Sequence, residues 1–215
     1  YKIRSFSDLN EVKDLKKISF DCMLVAAYGK IIPKWLLLNS KYKPINIHYS
    51  LLPKYRGASP IQAAILNGDK YTGITFMEIS EKLDEGNIIK SYKITINENH
   101  HKESLETDLC NLAISKIDEV MKYLYSKNYK SIPQDKSRAT YCKKITKEDS
   151  CINFNMTTKQ IISSFKAFKG WPGVNFVYKD IVIKIHGIKE NIYVGDEEPG
   201  EILNFNKDGI YIKTT

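Results

Sequence analysis

Asn46 and His48 stand two residues apart in PINIHYS (44–50), and Asp84 follows in the turn LDEGN. In an extended strand residues i and i+2 face the same way, so the amide and the imidazole share one side. An amide N–H can hold an oxygen that gains negative charge. An imidazole takes and gives protons near neutral pH, and a carboxylate can orient or charge it. At the carboxyl end of a strand in an open α/β sheet such a trio stands where ligands collect. The bland alternative is a structural Asn-x-His pair, in which each buried group needs its own partner. The other histidines offer less. His100 and His101 precede a helix among charged residues and read as solvent-exposed. His186 alternates with apolar residues in IKIHGI and reads as outward-facing. Trp35 and Trp171 read as core or domain-junction packing.

Several elements must carry the trio. DCMLVAAYG (21–29) is a short apolar run closed by glycine, the pattern of a strand buried on both faces of a parallel sheet. Pro33 opens a helical stretch, PKWLLLNS. PINIHYS alternates and reads as a strand, and SLLPKYRGASP (50–60) as a loop. Ser59 and Pro60 form a start signal for the helix IQAAILNG. TGITFMEI (72–79) and IIKSYKITI (88–96) are strands around the turn EKLDEGN. From Ser104 to about Lys127, apolar residues recur at three- and four-residue steps, which predicts a long amphipathic helix. SIPQDKSRAT (131–140) is polar and proline-bearing and reads as a linker. A helix over 157–168 and short β-rich pieces follow, and suggest a small barrel or sandwich. The α/β part offers one parallel-type strand at its start. The expectation is therefore a catalytic domain over 1–130 that is incomplete at its N-terminus, a linker over 131–141 and a second domain over 142–215.

Charge bears on partners. The 215 residues hold 33 Lys and Arg against 25 Asp and Glu, a net +8. Lys34, Lys41, Lys43, Lys54 and Arg56 stand in residues 31–60 without an acid. Five lysines, Lys166, Lys169, Lys179, Lys184 and Lys189, face only Asp180 and Glu190 in 161–190. Such islands suit a polyanion, although solvated lysines are equally ordinary. The four cysteines form no CxxC pair and have no histidine at ligand spacing, so no metal is expected. Cys22 and Cys110 read as small buried hydrophobes in a reducing cytosol. No apolar run approaches the ~18 residues of a membrane span, and the opening residues lack the apolar stretch of a secretory signal.

Residues 45–89, INIHYSLLPKYRGASPIQAAILNGDKYTGITFMEISEKLDEGNII, resemble the signature region of the folate-dependent formyltransferases. The matching pieces are Asn46-x-His48, the SLLPKYRGASPI loop, the TGIT strand and LDEG. Within that superfamily they are most similar to the branch that formylates methionyl-tRNA. VAAYGKIIPKWLL resembles the family's pterin-contacting strand and loop, and YCKKITKE with AFKGWPG resembles its linker and the start of an OB-like domain. The implied fold is α/β, a partial Rossmann-like formyltransferase domain followed by a small OB-like β-barrel domain. The implied reaction moves the formyl group of 10-formyltetrahydrofolate to the amino group of methionyl-initiator tRNA in translation initiation, in the cytoplasm, by a monomer without a metal.

The resemblance implies roles. Asn46 would hold the oxyanion, His48 would shuttle a proton, and Asp84 would orient His48. Tyr28, Gly29, Lys30, Ile31 and Ile32, with Ser50, Leu51, Leu52 and Pro53, would line the folate cleft. The nucleophile is the substrate amine, so Ser50 forms no acyl-enzyme. Arg56, Lys166, Lys169 and Lys184 would meet tRNA. An amino-sugar N-formyltransferase would use the same trio on another acceptor, and a formyltetrahydrofolate hydrolase would replace the amine by water. A non-catalytic RNA-binding module would not need Asn46, His48 and Asp84 together.

Overall fold

A computed structural model describes residues 16–29 and 32–215. Its central sheet has four strands in the order β1 (Leu24–Ala26), β2 (Ile45–His48), β4 (Tyr71–Glu78) and β5 (Ile88–Thr95). β1 runs parallel to β2, with Val25 opposite Asn46. β2 and β4 are antiparallel, and so are β4 and β5. The sheet is therefore mixed, with one parallel pair among the described residues.

A one-turn helix, α1 (Lys34–Leu37), follows Pro33. A two-residue strand, β3 (Arg56–Gly57), precedes α2 (Pro60–Leu66), whose first residue is proline, a position where the missing N–H costs nothing. The 23-residue helix α3 (Lys102–Leu124) buries Leu105, Leu109, Ala113, Val120 and Leu124. These lie on one face at helical spacing and pack with Ile45, Ile74, Phe76 and Ile89 of the sheet. The helix starts two residues earlier than its apolar spacing predicts. Ser104 Oγ accepts from the His101 N–H at 3.0 Å, which satisfies a donor the helix itself cannot.

The downstream part holds β6 (Tyr141–Cys142), α4 (Thr158–Phe168), β7 (Val174–Tyr178), β8 (Ile181–Ile185), β9 (Ile202–Asn206) and β10 (Gly209–Ile212). Thr157 caps α4, with Gln160 returning the bond to the cap. β7–β8 and β9–β10 are separate two-stranded hairpins. The expected barrel is not closed among the described residues, because no ladder joins one hairpin to the other. The buried core nevertheless runs from β2 through α3 to Ile161, Phe168 and Val174 without a break.

Other expectations are corrected. Among the described residues β1 is the outer strand of the sheet, and Leu24 is 41% exposed. His100 is buried, not solvent-exposed: Asp108 lies 3.0 Å from its Nε2, and its Nδ1 accepts from the Asn97 N–H. Trp171 and Cys110 are exposed, so neither is core. Segment 131–141, the expected linker, is fastened to the first part of the chain. Ile132 exchanges backbone hydrogen bonds with Ile88, Gln134 is buried, and Tyr141–Cys142 pairs in parallel with Arg56–Gly57. Among the described residues no helix is long and apolar enough to cross a membrane.

Candidate active site

The pleat of β2 separates its side chains. Ile45 and Ile47 turn into the core, and Asn46 and His48 share the other face. Asn46 is half-buried, and its amide makes no side-chain hydrogen bond among the described residues. His48 is 6% exposed. Its Nε2 lies 2.8 Å from the Tyr55 carbonyl. A carbonyl only accepts, so the ring proton belongs on Nε2. Nδ1 then faces Asp84 Oδ1 at 3.7 Å, beyond a direct hydrogen bond but close enough for a charge contact or a bridging group.

Asp84 reaches His48 by an unexpected route. β4 runs against β2, so its carboxyl end lies beside Ile45, while His48 pairs with Thr75. The β4–β5 loop must double back along the sheet by three residues, about 10 Å. Polar anchors hold it there. Asp84 Oδ2 accepts from the Gly57 N–H at 2.8 Å. Gly57 has φ +118, and a Cβ there would collide with the Cys142 carbonyl, so only glycine fits. The Gln134 amide donates to the Asp84 and Gly86 carbonyls, both at 2.8 Å.

Arg56 completes this cluster and is 2% exposed. Its Nε and Nη2 donate to Gln134 Oε1 at 3.0 and 2.8 Å. Its Nη1 donates to the Tyr141 hydroxyl at 3.1 Å and lies 3.4 Å from Glu85 Oε1. A guanidinium so enclosed has no face to offer a phosphate. Arg56 is therefore withdrawn from the nucleic-acid contacts, and it holds the site together instead. Its neighbour Tyr55 is also fixed, with its hydroxyl on Asp69 at 2.8 Å. Burial, then Asp69, raises the Tyr55 pKa above its ordinary value. Burial likewise raises the Cys142 thiol pKa above its ordinary value.

Residues 1–120 match the model of the formyl transferase family, and residues 144–215 match that of the formyl transferase C-terminal domain. The chain belongs to the formyl transferase family. It is 39% identical over 206 residues to the methionyl-tRNA formyltransferase of Caldicellulosiruptor saccharolyticus, covering 93% of this chain and 64% of that protein. Against the methionyl-tRNA formyltransferase of Staphylococcus aureus (strain MW2) it is 34% identical over 214 residues, covering 100% and 69%. The chain thus spans about two thirds of the length of these relatives. Among solved structures it resembles HypX from Aquifex aeolicus in complex with tetrahydrofolic acid, with a TM-score of 0.72 and 20% identity over 95% of this chain and 35% of that one. At that identity the likeness shows the fold.

The residues expected at the folate divide. An open cleft of about 230 Å³ lies along β1, and Met23, Val25, Tyr28, Ile32 and Leu36 are among its lining. Gly29 is exposed, with open space where a side chain would stand. Lys30 and Ile31 lie outside the described residues. Ser50 and Leu52 are buried and hold the loop instead of facing a cleft. Ser50 Oγ donates to the Lys54 carbonyl at 2.6 Å, and Thr75 Oγ1 donates to the Ser50 carbonyl and accepts from the Leu52 N–H. Leu51 and Pro53 are half-buried.

The lysines lie downstream. Lys169 and Lys184 are exposed and line a second open cleft, of about 400 Å³, with Asn175 and His186. Lys166 is half-buried on α4, outside that lining. Sequence reasoning missed Gln134, Glu85 and Thr140. Gln134 and Thr140 sit in a polar, proline-bearing stretch, and no pattern there marks burial.

Proposed function

We propose that this formyl transferase moves the formyl group of 10-formyltetrahydrofolate to the amino group of methionyl-initiator tRNA, as its relatives' names suggest, in a Rossmann-like catalytic part over 1–130 with the 142–215 part as an RNA platform. One observation carries the chemistry: an Asn46 amide that has no side-chain hydrogen bond among the described residues shares a face with His48, whose Nδ1 is turned to Asp84.

The substrate amine attacks the formyl carbon, and a C–N bond forms. The carbonyl oxygen becomes the oxyanion of a tetrahedral intermediate, and the Asn46 amide N–H donates to it. The amine's proton passes to His48 Nδ1, directly or through water, and Asp84 stabilises the imidazolium so formed. The same proton then goes to N10 of the folate as the C–N10 bond breaks, and His48 returns to its starting form. No covalent enzyme intermediate is needed, in keeping with the buried and bonded Ser50 hydroxyl.

The apolar cleft beside Tyr28 and Ile32 suits a flat ring, as an apolar wall with few polar anchors does. Leu51 and Pro53 would close its other side. Lys166, Lys169 and Lys184 would position phosphates without reading bases. The test compares acceptors in the protein as expressed from its gene, with labelled formyl-folate and either methionyl-initiator tRNA, an amino-sugar nucleotide or water alone. Label on the methionyl amine supports the proposal. Transfer to the sugar, or release of free formate only, would replace it with the corresponding alternative.

A further inference from the structure

We propose that Gln134 is a positioning residue for this site: it clamps the backbone of Asp84 so that the carboxylate stays aimed at His48 Nδ1. The inference rests on the formyl-transfer reading and goes beyond the trio. Gln134 lies between the two stretches that match the family models, residues 1–120 and 144–215.

Its side chain uses all four hydrogen-bonding positions of an amide. Two donors hold the Asp84 and Gly86 carbonyls at 2.8 Å each, and the oxygen takes both Arg56 donors. It is 9% exposed, so water does not replace these bonds easily. What it holds resists being held. Asp84 has φ +53, a left-handed conformation that costs a residue other than glycine energy and persists only when its surroundings enforce it. The Gly57 N–H grips the carboxylate from one side, and Gln134 grips the main chain from the other. With Gln134 removed, the backbone can relax toward negative φ, and this swings the carboxylate relative to the imidazole. Gln134 touches no reacting atom, so its effect passes through Asp84.

The segment that carries Gln134 is itself fastened on both sides. Tyr129 and Ser131 donate to Glu78, and the Thr140 carbonyl accepts from the Arg56 N–H at 2.8 Å. The clamp is thus a fixed strap across the site.

The experiment is a double-mutant cycle in the protein as expressed from its gene, with formyl transfer to methionyl-tRNA as readout. Gln134→Ala should lower kcat about 10- to 10²-fold, as a misaimed catalytic group does, with KM for folate and tRNA within about twofold. In an Asp84→Asn background the same replacement should cost less than about twofold, because residues that act through one another are not additive. Gln134→Glu keeps the oxygen that Arg56 grips but loses the donors to the two carbonyls, so it should match Gln134→Ala in kcat even if the alanine variant folds poorly. Additive losses in the cycle, or normal kcat in Gln134→Glu, would overturn the proposal and leave Gln134 a fold-holding residue for Arg56. A crystal structure of Gln134→Glu reads the clamp without any substrate. A turned Asp84 carboxylate supports the clamp, and an unmoved one overturns it. Absence of transfer by the unmodified protein would sink the formyl-transfer reading, while this crystallographic arm still decides the clamp.

Discussion

The site region and the downstream hairpins are built on opposite terms. Around the site, polar groups are buried and each is answered: Arg56 by Gln134, Tyr141 and Glu85, Ser50 by Lys54, Thr75 by Ser50 and Leu52, and Asp84 by Gly57. In the hairpins, apolar residues face solvent. Val177 and Val182 are cross-strand partners and both exposed, at 55% and 61%. The first region is over-determined, since a change to one partner strands the others. The second is held by its own two ladders and by Val174 and Phe176 in the core, with Ile183, Ile185 and Ile212 packed against it. Precision is concentrated where an amide, an imidazole and a carboxylate must keep their relative places. The downstream part presents surface instead.

This contrast can be broken. Arg56→Ala should have the largest effect, about 3 kcal/mol of stability, because it leaves the Gln134 oxygen buried without a donor and removes the partner of Glu85. A fall in the urea midpoint at unchanged m-value reads it. Arg56→Lys should recover only part of the loss, since an ammonium cannot reproduce the fork. If Arg56→Ala melts normally and only RNA affinity falls, the arginine is a surface contact and the contrast fails.

Next in size, Lys169→Gln with Lys184→Gln should raise KM for tRNA and flatten its salt dependence by roughly one unit of slope for every phosphate that a lysine ceases to neutralise. The unfolding midpoint should stay put. An unchanged slope would mean that these lysines are only solvated.

Glu78 sharpens the picture at the far end of β4. Burial opposes its ionisation, yet hydrogen bonds from Tyr129, Lys43 and Ser131 prevail and hold its pKa below the ordinary 4.5. A depressed carboxyl contributes stability that is complete above its unfolded value and is lost as pH falls through the folded one. The melting temperature should therefore drop on acidification below about pH 4.5 more steeply in the unmodified protein than in Glu78→Gln. Parallel curves would remove Glu78 from the acid response. The smallest effect belongs to the hairpins: Val182→Thr should change stability by less than about 0.5 kcal/mol.

The long helix, the four sheet strands and the paired Asn46 and His48 were readable in the sequence, because each is a local pattern of spacing. What escaped depends on partners far along the chain. Arg56 sits in a basic loop and reads as a phosphate contact, but its acceptor, Gln134, lies 78 residues on. The hydrophilic stretch around Gln134 reads as a linker, because burial of a fully bonded amide leaves no apolar trace. The approach of Asp84 to His48 was anticipated, but not the path that its loop takes. Loops of parallel strands converge at one edge, but β4 is antiparallel to β2, and only the doubled-back loop brings the carboxylate home. The hairpins carried strand signals, but nothing in the pattern could tell a closed barrel from two separate ladders.

The central claim is that Asn46 and His48 do the chemistry and the rest of the site aims them. Steady-state kinetics of Asn46→Ala and His48→Ala, with formyl-folate and methionyl-tRNA varied in turn, tests it most directly. The account predicts kcat losses of roughly 10² to 10³ for Asn46→Ala and 10² to 10⁴ for His48→Ala, with folate KM little changed. Near-normal kcat in either variant, with the loss confined to KM, would contradict it and leave that residue only a substrate-positioning role.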